Sequence, residues 1–145
     1  MTKNNRSARK ARGYLYQALK LNKAINEDIA EMVRLRELAT CIPSLTEAKA
    51  SGSGTSDKIG SIAAMLADLD ASIKSKTGSL LSLKHIIRER TEKITDDILR
   101  LVLQKRYLDF QEFEDIAYDL NYTFEGIMRL HAKALEELKK TKHSK

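Results

Sequence analysis

Cysteine and proline are nearly absent from this chain, tryptophan is absent, and long apolar runs are missing. Cys41 is the only cysteine of the 145 residues, which excludes an intrachain disulfide bond and favours a reducing compartment. No apolar run approaches the roughly 18 residues of a membrane-spanning helix. The N-terminal residues are polar and lack the apolar segment of a signal peptide. We therefore expect a cytoplasmic protein that does not insert into a membrane.

Residue patterns typical of catalysis or metal binding are also missing. His85, His131 and His143 are scattered along the chain, with no ligand-spaced cysteine or carboxylate set around them, so we expect no metal site. His131 falls near a predicted core stripe and is expected to be packed. The glycine-rich stretch 50–56 lacks the Gly-Lys-Ser/Thr ending of a P-loop. Without a nucleophile–base pair or a cofactor loop, the sequence predicts no enzyme, no catalytic residue, no cofactor and no small-molecule substrate.

Composition and charge favour an amphipathic all-α protein with an anionic partner. Charged residues make up 32% and hydrophobic residues 42% of the sequence, which is typical of helical proteins rather than of disorder. The net charge of +6 and a pI near 9.4 indicate nucleic acid as the first candidate partner. Basic residues near both ends either follow the DNA backbone without sequence preference or remain solvated. The candidates are Arg6, Arg9, Lys10, Arg12, Lys139 and Lys140.

The apolar spacing divides the chain into helices separated by two breaks. Pro43 is expected to end the first helix, because the residue before a proline is pushed out of the α region. Ser56 or Asp57 is expected to cap the next helix, which we expect to continue to residue 106 with Gly78 as its one possible break. The predicted order is a basic flexible arm (1–13), an N-terminal helix (14–40), a Ser/Gly linker (41–56), a long heptad helix (57–97), a helix-turn-helix domain (98–138) and a basic tail (139–145).

An apolar residue recurs at every seventh position of the long helix, which is typical of a coiled coil. The N-terminal helix is long enough to fold back antiparallel onto the first half of this seam only. A second copy of the chain is expected to cover the part after Gly78, giving a homodimer. The alternative is a monomer whose hairpin folds onto the C-terminal unit. The predicted oligomerisation seam consists of Ile59, Leu66, Ile73, Leu80, Ile87 and Ile94.

Residues 113–138 have the pattern of a helix, a tight turn and a second helix. Asn121 tolerates the left-handed conformation that ends a helix, and Thr123 is placed to cap the second helix. At about 100° per residue, the apolar residues of both helices share one inward face: Phe113, Ile116, Ala117, Leu120, Ile127, Leu130, Ala134 and Leu138. The outward face of the second helix then carries Glu125, Arg129, Ala132, Lys133 and Glu136. Such a unit places its second helix in the DNA major groove.

This segment resembles the helix-turn-helix of sigma factor region four. Ile116-Ala117 matches the Ile/Val-Gly of that family, Leu120-Asn121-Tyr122-Thr123 matches its Leu-Gly-Val-Thr, and Ala132-Lys133-Ala134-Leu135 reproduces its Ala-Lys-Ala-Leu. Phe124, Gly126 and Met128 stand where the family has promoter-contacting arginines, so the resemblance carries over Glu125 and Arg129 as candidate base readers. The predicted DNA-binding residues are Tyr122, Thr123, Glu125, Met128, Arg129 and Lys133.

The order of the segments is similar to that of small Gram-positive phage proteins related to the ArpU and RinA late transcription regulators. The resemblance runs from the Ser-Asp-Lys-Ile-Gly-Ser-Ile junction at 56–62 to the helix-turn-helix. It implies a phage or prophage regulator of packaging and lysis genes, acting in a bacterial host on double-stranded DNA, with RNA polymerase as a further candidate partner. Residues 107–127 carry only acidic charges, which repel DNA unless they face away. Two alternatives are a helical protein-interaction module that binds RNA polymerase or a phage protein, and the DNA-recognition subunit of a packaging machine.

Overall fold

The computed structural model describes the backbone of residues 2–46 and 53–141, and the side chains of residues 9, 10, 12–41 and 57–141. No strand occurs in these residues, and the predicted all-α fold is confirmed. The described chain contains α1 (Thr2–Thr46), α2 (Ser53–Glu92), α3 (Asp97–Tyr107), α4 (Phe113–Leu120) and α5 (Phe124–Lys140).

Helix α1 is longer at both ends than the helix predicted for residues 14–40. The residues predicted as a flexible arm are helical from Thr2 onward. The predicted stop at Pro43 is wrong, because α1 continues to Thr46. Proline removes one backbone donor and crowds the preceding turn. Pro43 lies in the last turn of α1, where few further hydrogen bonds depend on it.

Helix α2 begins at Ser53, so Ser56 and Asp57 lie inside the helix and do not cap it. Residues 47–52 of the predicted linker lie outside the described residues. Gly78 does not break α2. A Cβ at Gly78 would meet nothing within 4 Å, and the glycine costs the helix only about 1 kcal/mol of backbone entropy.

The prediction of one continuous helix from 57 to 106 is wrong, because α2 ends at Glu92 and α3 begins at Asp97. The Asp96 side chain caps α3 by accepting hydrogen bonds from the backbone N–H of Ile98 at 3.0 Å and of Leu99 at 3.3 Å. A carboxylate at this position satisfies donors that a helix leaves unpaired at its start. The apolar heptad runs across this corner unchanged, and periodicity alone therefore did not reveal it.

The described chain divides into two compact units, and α1 and α2 contribute residues to both. The first unit is Lys23–Ser79, where α1 and α2 form a hairpin. Leu35 and Ile62 form a buried cluster in this unit, and Ala39, Leu66 and Leu69 pack against them. Asp28 accepts hydrogen bonds from Lys76 at 2.8 Å and from Ser72 at 2.9 Å, which lower the pKa of its carboxyl group. Asp28 meets Ser72 and Lys76, whereas Leu35, farther along α1, meets Ile62, nearer the start of α2. The predicted antiparallel arrangement is therefore confirmed.

The second unit combines Met1–Asn22 with Leu80–Lys145. Here Leu15 and Ala18 of α1 are buried. Tyr14 and Leu15 border one small cleft together with Ile86, Ile87 and Arg90 of α2 and Leu138 of α5. Within this unit, α1 and α5 of the same chain therefore cover the end of α2.

This packing corrects the expected role of the heptad seam. Leu80, Ile87 and Ile94 are buried within the chain, so they are not available as an interface between copies. Leu66 and Ile73 are half-buried, and Ile59 is exposed. The part of the seam after Gly78 is thus covered by residues of the same unit. The homodimer stays a prediction, and these buried residues do not support it.

Candidate nucleic-acid interface

Helices α4 and α5 are joined by the tight turn that the sequence predicts. Asn121 has the left-handed conformation, with φ 61° and ψ 41°. The backbone N–H of Tyr122 donates to the Ala117 carbonyl at 2.9 Å, which closes the end of α4. The Thr123 hydroxyl accepts a hydrogen bond from the Gly126 N–H at 3.0 Å and so caps α5. The predicted helix stop and the predicted cap are both confirmed.

A small core fixes the angle between the three C-terminal helices. Val102 of α3, Ile116 and Ala117 of α4 and Ile127 of α5 are buried together. Four partly buried residues pack against this cluster: Ile98, Phe113, Leu120 and Leu130. Farther along α5, Ala134 and Leu138 are also buried. The inward stripe of α5 is therefore as predicted, with Leu130 at its edge.

The opposite face of α5 is open to solvent. Glu125, Arg129, Ala132, Lys133 and Glu136 are all exposed. No hydrogen bond or ion pair joins Glu125, Arg129 or Lys133 to another described residue. Glu136 differs, because Lys139 donates a hydrogen bond to it at 2.8 Å and lowers the pKa of its carboxyl group. Three of the predicted DNA-binding side chains are thus exposed together and make no bond to the described chain.

The other three predicted DNA-binding residues lie at the start of the same helix. Tyr122 and Met128 are exposed, and so is Thr123, whose hydroxyl oxygen is engaged in the cap. All six residues predicted from the sequence therefore lie on the turn or on the first three turns of α5. Phe124, which the prediction did not include, is exposed beside them.

The residues predicted to contact the DNA backbone fall into three groups. Arg9, Lys10 and Arg12 are exposed on α1, whereas the Arg6 side chain lies outside the described residues. Arg12 contributes to lowering the pKa of both His131 and Glu136, which places its charge near α5. Lys139 and Lys140 each form an ion pair one turn back along α5, with Glu136 and Glu137. Residues 142–145 of the basic tail lie outside the described residues.

The acidic residues of the helix-turn-helix lie mostly on α4 and its preceding loop. Glu114, Asp115 and Asp119 are exposed on α4. Asp119 lies 3.5 Å from the Lys105 amino group. Ile116 and Ala117, which face the core, orient these carboxylates outward. Glu125 and Glu136 are the acidic side chains that share the outward face of α5 with Arg129.

A buried arginine attaches the end of α5 to α2. Arg90 is only 4% exposed. Its Nη2 donates to the carbonyl oxygens of Thr141 at 2.7 Å and of Leu138 at 3.3 Å, and its Nε donates to the Thr141 hydroxyl at 3.2 Å. The C-terminal end of a helix carries partial negative charge and unpaired carbonyls. The guanidinium therefore caps α5 from outside, although burial lowers its pKa.

Sequence reasoning did not identify Arg90 as a contact that positions α5. The available signal was a charged residue at an apolar position of the heptad, which requires a buried partner. That partner is a helix end about 50 residues later, and no local pattern reveals it. His131, by contrast, is half-buried and packed as predicted.

The described residues hold no cluster of three or more His, Cys, Asp or Glu side chains that could bind a metal ion. None of the described helices combines the length and apolar character needed to cross a membrane. Comparisons with protein-family models, curated proteins and solved structures find nothing that matches this chain.

Proposed function

We propose that this protein is a non-enzymatic, sequence-specific DNA-binding transcriptional regulator that inserts α5 into the major groove. The observation that carries the proposal is the outward face of α5. Glu125, Arg129 and Lys133 are exposed there without partners among the described residues, while Ile127 and Ala134 on the opposite face form the core. A helix held rigidly on one side and polar on the other matches the recognition helix of a helix-turn-helix.

Each outward side chain has a role that follows from its chemistry. Arg129 offers paired donors to the O6 and N7 of a guanine, and Glu125 accepts from the N4 amino group of a cytosine. Lys133, at the edge of this face, binds a backbone phosphate. Tyr122 and the N-terminal end of α5 near Thr123 meet phosphates at the rim of the groove, where the helix dipole favours an anion.

The finer identity rests on the resemblance to phage late regulators and is part of the proposal. On this reading the protein activates packaging and lysis genes of a phage or prophage within a bacterial host. Helix-turn-helix regulators commonly bind two half-sites as dimers, and we propose a homodimer for that reason rather than from the heptad seam.

A gel-shift comparison of specific and nonspecific DNA tests the proposal. The specific site is first selected from random duplexes with the full chain. Arg129→Ala should weaken binding to the selected site by about 1 to 3 kcal/mol and leave nonspecific binding nearly unchanged. Arg36→Ala is the matched control, because Arg36 is exposed on the hairpin. Equal losses on both kinds of DNA would restrict Arg129 to phosphate contact, and no binding at 50 mM salt would refute the proposed function.

A second candidate function is supported by the outward face of α4. Tyr118 is 87% exposed and lies among the exposed carboxylates of Glu114 and Asp115. An exposed aromatic ring with acidic neighbours suits a basic protein surface, such as one on RNA polymerase or on a phage protein. Tyr118→Ala should abolish capture of such a partner and retain DNA affinity. If it retains the partner, α4 is not the contact.

A further inference from the structure

Helix α5 carries an exposed apolar strip beside the polar side chains that are proposed to contact DNA. Phe124 is 47% exposed and Met128 is 37% exposed, although both are large hydrophobic side chains. Ala132, one turn farther along, is exposed as well. The three residues follow one another at intervals of four, and they therefore form a continuous strip along the helix. The core of the unit uses another side of the helix, with Ile127 and Ala134 buried.

The position of this strip identifies what it contacts when α5 lies in the groove. Met128 lies three residues after Glu125, and Ala132 lies three residues after Arg129, a spacing at which side chains are neighbours on a helix surface. The apolar strip thus borders the polar side chains and would enter the groove together with them. Base edges in the major groove present hydrogen-bond donors and acceptors, together with a single apolar feature, the C5-methyl group of thymine.

We infer that α5 recognises thymine methyl groups through Phe124 and Met128, next to a base read by Arg129. The target is therefore a DNA site with thymines exposed in the major groove. Contacts to their methyl groups supply a substantial share of the discrimination between DNA sequences. This inference rests on the proposed DNA-binding function and adds the chemistry of the site to it.

The spacing of the two side chains suits successive thymines. Four residues of α-helix rise by about 6 Å, and two base-pair steps rise by about 6.8 Å. Phe124 and Met128 thus reach methyl groups about two base pairs apart when the helix follows the groove. Ala132 leaves room for the helix backbone to approach the bases closely, since its side chain ends at Cβ.

Replacing thymine by deoxyuridine in the selected site tests this inference without altering the protein. The exchange removes the methyl group and keeps every hydrogen-bonding group of the base. Each methyl group in contact should contribute about fourfold to affinity, as expected for one buried carbon. We expect wild-type protein to lose about this factor at one or two thymine positions and nothing at the others.

Protein variants assign each methyl group to a side chain. Met128→Ala should bind the two duplexes with equal affinity when the exchange is made at one thymine position. Phe124→Ala should do so when the exchange is made at the other position. Leu81→Ala is the control, because Leu81 is equally apolar and is exposed on α2; it should discriminate as wild type does.

The possible results separate this inference from the proposed function. Specific binding with equal affinity for thymine and deoxyuridine duplexes overturns the methyl contact and retains the DNA-binding function. Variants that lose affinity while keeping full thymine discrimination also overturn it, since the side chains then act elsewhere. If wild-type protein selects no DNA site, both proposals fail, and the strip is better explained as a protein contact.

Discussion

The Tyr107 hydroxyl of α3 and the His131 Nε2 of α5 lie 2.8 Å apart. The His131 and Phe113 rings also pack edge to face, with ring centroids 5.0 Å apart. Burial raises the pKa of Tyr107, so the phenol remains protonated and can donate to a neutral imidazole. This contact joins α3 to α5.

Acidification should destabilise the protein through His131. Burial, and to a smaller extent the charges of Arg106 and Arg12, lower the pKa of His131 below 6.5. As the pH falls through about 6.5, where an unfolded histidine titrates, the unfolded chain binds a proton that the folded chain does not. The free energy of unfolding therefore decreases until the pH falls below the folded pKa. Urea denaturation at pH 7.5 and at pH 5.5 measures the decrease.

The variant His131→Gln should lose that part of the pH dependence, because glutamine keeps a polar group near Tyr107 and does not titrate. His85→Gln, on an exposed position of α2, is the matched control and should behave as wild type does. An unchanged decrease between the two pH values in His131→Gln would contradict the assignment.

Arg90→Ala should lower the free energy of unfolding by about 2 to 4 kcal/mol, because three hydrogen bonds to the end of α5 are lost and buried carbonyls are left unpaired. Arg90→Lys should recover only part of the loss, since an ammonium group lacks the planar fork of the guanidinium. The nearby Arg88→Ala should change stability by less than about 0.5 kcal/mol, because Arg88 is exposed. Thermal and urea denaturation provide the comparison. Similar losses of stability in Arg90→Ala and Arg88→Ala would refute the role of Arg90 in holding the end of α5.

The turn before α5 depends on the backbone of Asn121. Its φ of 61° lies in a region that costs an ordinary L-residue about 1 to 2 kcal/mol. Asn121→Ala should therefore destabilise the protein by about 1 kcal/mol, whereas Asn121→Gly should be neutral or stabilising. Asn26→Ala, on an exposed position of helix α1, should instead stabilise it slightly. Equal effects of alanine and glycine at Asn121 would show that the turn relaxes into another conformation.

Lys133 is assigned to a phosphate, and its removal should change the salt dependence of DNA binding. A plot of log affinity against log salt concentration should become shallower by about one unit in Lys133→Ala, because one fewer counterion is released. Lys74→Ala on the hairpin, where Lys74 pairs with Asp70, should leave the slope unchanged. A normal slope with altered base preference would make Lys133 a base reader.

The C-terminal unit was largely predictable because its determinants are local. Asn121 ends α4 and Thr123 caps α5 through bonds within a few residues, and the inward stripe of Ile127, Ala134 and Leu138 follows from helical periodicity. The corner at Asp96 was missed, although an aspartate followed by an acidic first turn is a local helix-start signal. The unbroken heptad is the stronger pattern at this point and favours a continuous helix.

The sequence by itself determined the helical class, the antiparallel hairpin and the side of α5 that faces outward, because each depends on the spacing of apolar residues along one helix. Tertiary structure alone decided how the heptad seam is covered and where the charged side chains of α2 find partners. Lys76 meets Asp28, and Arg90 meets the carbonyl groups at the end of α5. A heptad pattern shows that a helix needs an apolar neighbour, but a neighbour in the same chain and one in a second copy satisfy it equally well. The choice depends on where distant segments meet when the chain folds.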